Sequence, residues 1–293
     1  MEPKKLNITT CQMDVCIQQN NINIQIESPE IISPVNNSFT RLIASFDSIS
    51  LAEMDTVKLM NRIDTKYIIN RSLLPELLKK ALSSYRIVEI GGKRIIPYST
   101  IYFDTDNTEM YLMHHNGKLN RYKIRMRSYI DSGISFLEIK TKNNKGRTTK
   151  NRIGITNEQF ESMSLEEKEQ LFLKEMDFQS SGLVPQIQNA FKRITLVDKD
   201  LTERVTLDMR LSFQNIPNGQ SEDVEDLVII EMKQDGAVRS HFRDYLNELR
   251  INSVSMSKYC LGMMLVKPDL KSNGFKNKLR KITKITNTHY DSI

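Results

Sequence analysis

One short segment constrains the fold of this chain most: the sequence RYKIRMR at residues 121–127. Its odd-numbered positions are all cationic, namely Arg121, Lys123, Arg125 and Arg127, and its even-numbered positions are apolar or aromatic. In a β-strand, successive side chains point to opposite faces, so the four cations must share one face. Unpaired like charges on one strand face repel and cost stability. The fold must therefore provide something that compensates this face.

Four other strand-like segments place charged residues on one face, and in these segments acids stand beside the cations. The faces contain Arg62, Asp64 and Lys66; Phe136, Glu138, Lys140 and Lys142; Arg204, Thr206, Asp208 and Arg210; and Ile229, Glu231 and Lys233. For any single strand, an ordinary solvated surface is the simpler interpretation. Five such strands favour a shared interior that holds a polyanion, since Arg and Lys bind phosphate oxygens and carboxylates can hold Mg²⁺ or Mn²⁺ against them.

The turns between the strands indicate antiparallel pairing. Asp131-Ser132-Gly133 separates two strand patterns, and KNNKG at 142–146 precedes a third. Helical patterns are expected at 72–83, 105–115, 156–176, 237–249 and 255–266. We expect an α+β fold: a closed antiparallel β-barrel with flanking and capping helices.

Composition limits the chemical class of the binding partner but does not identify one partner. The net charge of +6 and the pI near 9.0 indicate an anionic partner. With 7% aromatic residues and no Trp, nucleic acid is not expected as the main ligand. The three cysteines and four histidines are scattered, which argues against a zinc site or a disulfide framework. No apolar stretch of membrane-spanning length and no signal peptide stand out, so a cytoplasmic location is expected.

Three regions are predicted along the chain. Residues 1–37 are expected to form a poorly ordered leader, residues 38–267 a single barrel domain, and residues 268–293 a basic flexible tail. For the tail, a solvated terminus is the simpler interpretation, with nucleic acid, membrane or polyphosphate binding as alternatives.

Seven segments, in order, resemble the VTC domain. They are RIDTKY (62–67), YFDT (102–105), RYKIRMRSY (121–129), FLEIKTK (136–142), RVTLD (204–208), IIEMK (229–233) and SMSKY (255–259). The VTC domain is the catalytic domain of the vacuolar transporter chaperone polyphosphate polymerase and its bacterial relatives, within the triphosphate tunnel (CYTH-like) superfamily. The resemblance covers about residues 39–267 and implies a tunnel barrel that transfers phosphate from ATP to inorganic polyphosphate with Mn²⁺ or Mg²⁺.

The resemblance also implies roles for individual residues. The expected catalytic cations are Lys66, Arg125, Arg127, Lys140, Arg204 and Lys258, and Glu231 matches the metal-binding glutamate of the family's E-x-K strand. The alternation of the strands adds Arg62 and Lys233 as phosphate-binding groups and Glu138 as a second metal ligand. Lys123 shares the face of Arg125 and is expected to bind phosphate at the mouth of the tunnel.

The departures from the family pattern leave alternatives open. Neither an SPX-type sensor domain nor a transmembrane region is apparent, which favours a stand-alone enzyme but leaves a membrane-protein partner and the oligomeric state open. The paired E-x-E-x-K signature of adenylate cyclase and thiamine triphosphatase relatives is absent, which argues against those activities. Hydrolysis of triphosphate or a nucleoside triphosphate in the same tunnel, and a polyanion-binding module without turnover, remain as alternatives.

Overall fold

A computed structural model describes residues 34–55, 62–144, 148–175, 182–236 and 238–288. The expected leader at 1–37 lies almost entirely outside the described residues. The eleven strands are β1 Ser48–Ser50, β2 Arg62–Asn70, β3 Tyr85–Glu89, β4 Ile96–Thr105, β5 Arg121–Tyr129, β6 Ile134–Lys142, β7 Thr148–Ile155, β8 Leu183–Asp198, β9 Glu203–Asn215, β10 Ser221–Val224 and β11 Leu227–Asp235. The α-helices within these described ranges are α1 Pro34–Ala44, α2 Leu51–Asp55, α3 Leu74–Ala81, α4 Glu109–His115, α5 Asn157–Ser162, α6 Glu167–Glu175, α7 His241–Glu248, α8 Lys258–Val266 and α9 Lys276–Thr286.

The strands form one sheet, and the expected antiparallel pairing is confirmed for its main path. Its order is β2-β11-β9-β8-β4-β5-β6-β7, with β1, β3 and β10 attached beside it. The predicted hairpin joins β5 to β6, and its register sets Arg125 opposite Glu138 and Lys123 opposite Lys140. Only the short β1–β3 pair is parallel among the described strands. The α+β class is thus confirmed.

The expectation of a closed barrel is wrong, because the sheet curls but stays open. Among the described residues, β7 pairs only with β6, and β2 pairs only with β11. The first five residues of β7, TTKNR, are exposed and include no large apolar side chain. Packing this strand onto β2 would therefore bury little apolar surface. The free edge of β2 instead accepts a hydrogen bond at the carbonyl of Lys66 from the N–H of Val254, at 2.7 Å.

Apolar side chains on the outer face of the sheet hold it against helices. Ile124 and Met126 of β5 are fully buried in a cluster with Phe160 of α5 and Phe172 of α6. A second cluster packs α1, α3 and α7 onto the apolar residues of β2, β9 and β11, such as Ile230. Because these residues alternate with the charged ones, packing the apolar face turns the charged face toward the concave interior.

Helix α8 occupies part of that interior. Its segment KYCLGMMLV is buried from Tyr259 to Val266 and packs on β8 and β9. At Gly262, an added Cβ would lie 2.5 Å from Phe213 Cδ1 and 2.7 Å from Ile187 Cδ1, so only glycine allows this approach. The apolar helix thus fills one part of the curl and leaves the charged part as a cavity.

The C-terminal region differs from the flexible tail that was expected from residue 268. Residues 276–286 form helix α9, in which Leu279 and Ile282 are buried against the core that includes α8. The apolar residues recur at helical spacing within a basic sequence, and their burial accounts for the order. None of the helices in the described segments combines the length and the apolar character that crossing a bilayer requires.

Candidate functional site

Strands β5 and β6 form the first wall of the interior. Arg125 donates from Nε and Nη2 to Glu138 Oε2 at 2.7 and 2.6 Å, and Lys150 of β7 forms an ion pair with the same carboxylate. Burial alone would raise the pKa of Glu138, but Arg125, Arg127 and Lys150 lower it to about 2. The carboxylate is therefore ionised, and it neutralises part of the cationic face that the sequence placed on β5.

Strands β2 and β11 form the second wall, centred on Glu231. Lys66 Nζ lies 2.7 Å from Glu231 Oε1, and Lys233 Nζ lies 3.2 Å from Oε2. Burial opposes ionisation of Glu231, yet the charges of Lys233 and Lys66 hold its pKa well below the usual value. Burial lowers the pKa of Lys233 to about 8. This carboxylate is thus held between two lysines, and its side chain is 17% exposed.

Residues of both walls line one cavity, with Asp64 and Lys66 from β2 and Lys123 and Lys140 from β5 and β6. The pKa of Lys140 on β6 is lowered by burial and is then shifted by the charges of Glu231 and Lys66, which belong to the opposite wall. A cavity of about 620 Å³ lies between the walls. Its charged lining consists of Asp64, Lys66, Arg121, Lys123, Lys140, Lys142 and Lys278.

Lys123 is a half-buried cation of this cavity's lining. Burial, together with the nearby charges of Lys140, Lys66 and Arg125, lowers its pKa to about 7 against a raising effect of Cys260. Its Nζ donates to Ser257 Oγ at 2.9 Å. Beside it, burial and the surrounding cations lower the pKa of His114 to about 2, so this histidine adds no charge. The cavity therefore has a strongly positive potential that favours an anion.

A third group of charges lies deeper, where α8 meets β8 and β9. Arg193 binds Asp208 bidentately, at 2.5 Å from Nε to Oδ1 and 2.8 Å from Nη2 to Oδ2. Lys258, the first residue of α8, also donates to Asp208 Oδ2. The pKa of Asp208 is lowered by these two cations despite burial, whereas burial lowers that of Lys258 to about 8. Lys258 thus points toward the interior, where it contacts Asp208.

The remaining predicted residues lie at different depths. Arg127 is 8% exposed and donates to Thr100 Oγ1 at 3.3 Å, and its charge reaches Lys258. Arg204 lies opposite Lys233 in the β9–β11 register and acts on its pKa. Arg62 differs from the rest, because it is exposed at the start of β2 and pairs with Asp64, with Nε 2.7 Å from Oδ1. Of the predicted cations, Lys66, Lys123 and Lys140 thus line the cavity. Arg125, Lys233 and Lys258 pair with Glu138, Glu231 and Asp208, and Arg62 lies apart at the exposed start of β2.

Arg193 and Lys150 were missing from the predicted set. Arg193 alternates with the buried Ile194 and Leu196, which is the same signal that identified β5, although a single cation made it weak. Arg210 was expected to share the face of Asp208, but a left-handed residue at this position (φ 52°) accompanies a register shift between β8 and β9. Beyond it, Leu211 and Phe213 turn to the interior core, and strict alternation does not predict that change.

The carboxylates allow a metal that is shared with a phosphate ligand. Among the described residues, no group of three His, Cys, Asp or Glu side chains converges as a preformed metal site. Hard ions such as Mg²⁺ often use one or two carboxylates and take their other oxygens from phosphate and water. Glu231 fits this description, since it is partly accessible, whereas Glu138 is 1% exposed and held by Arg125 and Lys150.

Comparisons with known proteins identify one matching family and several similar folds. A family model described as the VTC domain matches residues 61–267. A search of curated proteins found no match. A crystal structure described as a putative adenylate cyclase from Bacillus halodurans is 16% identical, covers 68% of this chain and 96% of its own, and has a TM-score of 0.45. A putative adenylyl cyclase from Hippeastrum, described as having dominant triphosphatase activity, is 13% identical, with coverages of 68% and 94% and a TM-score of 0.41.

Proposed function

The chain belongs to the VTC domain family, and from that membership we propose that it transfers phosphate from ATP to a growing inorganic polyphosphate chain. The observation that carries the proposal is the convergence of Lys66, Lys123 and Lys140 on one cavity. Few small anions other than polyphosphates carry enough closely spaced charge to match such a set. The family supports phosphate chemistry, and the cavity supports a linear polyanion as its ligand.

The transfer needs positioning and charge neutralisation more than covalent chemistry by the protein. A terminal oxygen of the polyphosphate chain attacks the γ-phosphorus of ATP, the bond from that phosphorus to the β–γ bridging oxygen breaks, and ADP leaves. Lys66 and Lys140, which line the cavity, hold the phosphates in line and offset their negative charge in an interior of low dielectric constant. Arg125, which pairs with Glu138, adds to the positive potential there. When bound, Mn²⁺ or Mg²⁺ would be held by Glu231 and would neutralise phosphate oxygens.

The deeper charges have supporting roles in this proposal. Arg193, Asp208 and Lys258 form a buried network that fixes the end of α8 beside the anion site. Arg125 donates from two nitrogens to the single oxygen Oε2 of Glu138, which sets the guanidinium toward the interior. Arg127 and Arg204 extend the positive potential along the interior, and Arg62 is a peripheral phosphate contact.

Turnover by the purified chain tests the proposal directly. With ATP and Mn²⁺ or Mg²⁺, we expect long-chain polyphosphate that a polyphosphatase degrades. Glu231→Gln should lower metal-dependent turnover by at least about 100-fold, because the carboxylate that holds the metal is lost. Glu76→Gln on the exposed surface of α3 is the matched control, and it should retain full activity. A folded chain that forms no polyphosphate under any of these conditions contradicts the proposal.

Hydrolysis is the second candidate, and the open sheet favours it. Residues at the cavity mouth such as Gly117, Thr148 and Ser253 are exposed, so water can reach the bound phosphates. Measuring orthophosphate alongside chain product separates the two reactions. A binding module without turnover would show a third result: Glu231→Gln would bind polyphosphate almost as well as the parent, and neither protein would release a product.

A further inference from the structure

Helix α9 has an unusual charge distribution for a helix that packs on the sheet. Its segment KNKLRKITKIT contains five cations and no acidic residue. Leu279 and Ile282 are buried, so the helical period places the cations on the broad arc that faces away from the core. These cations are Lys276, Lys278, Arg280, Lys281 and Lys284.

Within the described part of the chain, no acidic side chain pairs with the cations of α9, and Lys278 Nζ lies 5.0 Å from the centre of the Phe275 ring. No ion pair there involves any of the five, and the one hydrogen bond from their charged ends runs from Lys281 Nζ to the Asn252 carbonyl at 3.4 Å. Lys278, Lys281 and Lys284 follow one another at three-residue spacing, which makes them neighbours on the helix surface. A row of like charges is unfavourable by itself, so an external anion would stabilise it.

The row begins at the cavity and leads away from it. Lys278 lines the cavity, and the pKa of Lys278 is lowered by burial and then by Arg121, which lines the cavity too. Lys281 contacts Asn252, whose chain neighbours Ser253 and Val254 also line the cavity. The basic face of α9 is therefore continuous with the mouth of the cavity and extends its positive potential along the outside.

We propose that the basic row Lys278, Lys281 and Lys284, together with Arg280, binds the part of a long polyphosphate chain that extends out of the cavity. This inference rests on the proposed function. A cavity of about 620 Å³ encloses a short length of chain, so a longer one must continue across the surface at the mouth. A linear polymer with a charge on every unit matches a row of cations in both shape and sign.

Binding of short and long chains separates this inference from the cavity itself. We compare tripolyphosphate with long-chain polyphosphate for the parent and for the triple variant Arg280→Gln, Lys281→Gln, Lys284→Gln, which leaves the cavity lining intact. Each phosphate contact that is lost lowers the salt dependence of binding, as in other polyanion complexes. The triple variant should bind the long chain at least about tenfold more weakly with a smaller salt slope, and should bind tripolyphosphate within about twofold of the parent.

A matched control removes the same charge elsewhere. Arg41→Gln, Lys79→Gln, Lys174→Gln changes three exposed cations on α1, α3 and α6, and should leave both affinities near those of the parent. Equal long-chain affinities of the triple variant and the control, with tripolyphosphate still bound, overturn the inference alone. Failure of the parent to bind tripolyphosphate overturns the proposed function as well. Thermal melting confirms folding, and Arg280→Gln alone should give an intermediate loss.

An anionic membrane is the competing occupant of this face. Vesicles that contain phosphatidylserine test it with the same three proteins. Weaker vesicle binding by the triple variant, combined with unchanged long-chain affinity, would assign the face to lipid headgroups and overturn the inference. Loss of long-chain binding, with little vesicle binding by the parent, supports it.

Discussion

At the scale of single residues, Lys123 links the charge of the cavity to pH. Burial lowers its pKa to about 7, from an ordinary value of 10.5. The groups that face it are Lys140 and Arg125 from the sheet, Lys66 from the opposite wall, and Ser257 and Cys260 at the start of α8. Below this pKa the ammonium is charged and attracts an anion, and above it the amine is neutral.

Affinity for tripolyphosphate should therefore fall as the pH rises through about 7. Lys123→Met retains the length of the side chain without the charge, so its affinity should change less between about pH 6 and about pH 8.5. Comparing the two proteins cancels the ionisation of the ligand itself. The parent should lose about tenfold more affinity than the variant over this range, measured by calorimetry in matched buffers.

The pH dependence of the free energy of unfolding should have the opposite sign to that of the affinity. A lysine whose pKa is lowered on folding binds fewer protons in the folded state than in the unfolded state between about pH 7 and about pH 10. The free energy of unfolding of the parent should therefore rise, relative to Lys123→Met, as the pH increases across that window. Parallel pH profiles of the two proteins, for affinity or for stability, contradict this account of Lys123.

At the scale of elements, the position of α8 depends on its contact with β8 and β9. Gly262 lies where a Cβ would meet the side chains of Phe213 and Ile187 at 2.5 and 2.7 Å. Gly262→Ala should push α8 away from the sheet and cost about 1–3 kcal/mol of stability. The shift should also separate Lys258 from Asp208 and weaken tripolyphosphate binding severalfold.

Denaturant unfolding and calorimetry measure both effects of Gly262→Ala. Gly154→Ala in β7 is the control, because an added Cβ there meets no atom within 4 Å, and both quantities should stay near those of the parent. Normal affinity in a destabilised Gly262→Ala protein would show that the anion site does not depend on where α8 packs.

Elements with regular alternation were predictable, and those with interruptions were not. Strand β2 contains the predicted alternation of Arg62, Asp64 and Lys66, and the β5–β6 hairpin forms at the predicted turn, because local pattern and turn chemistry agree there. Arg193 escaped prediction since its strand carries one interior cation and an irregular register. The open edge between β7 and β2 was not predictable for a different reason. Whether these two strands pair depends on contacts between segments distant in sequence, which no local pattern reports.

The candidate site was predictable in its composition but not in its pairing. Alternation and the family resemblance selected most of the cations that the structure brings together. Which carboxylate neutralises which cation depends on register across three strands, as for Glu138 between Arg125 and Lys150. The exposed position of Arg62 follows from its place at the end of β2, where the interior opens.

At the scale of the whole molecule, the fold stores positive charge in an interior whose carboxylates only partly balance it. Like charges that are buried together reduce stability unless an anion joins them. Asp208 supplies part of this balance, because it is 2% exposed and pairs with both Arg193 and Lys258. A bound anion and the Asp208 carboxylate therefore both offset the excess positive charge of the interior.

Asp208→Asn should lower the free energy of unfolding by about 3 kcal/mol, because two buried cations lose their counter-charge. Tripolyphosphate at 100 times its Kd should stabilise the folded parent by about 2.7 kcal/mol and so raise its melting temperature. The rise should be larger for Asp208→Asn, since the ligand then also replaces the missing carboxylate. Asp198→Asn is the control: this buried carboxylate accepts from the N–H groups of Thr202 and Glu203 and should lose stability without a larger ligand effect. Equal ligand-induced shifts in the parent and in Asp208→Asn would mean that bound anion and Asp208 do not share one field, and that the interior is not a single electrostatic site.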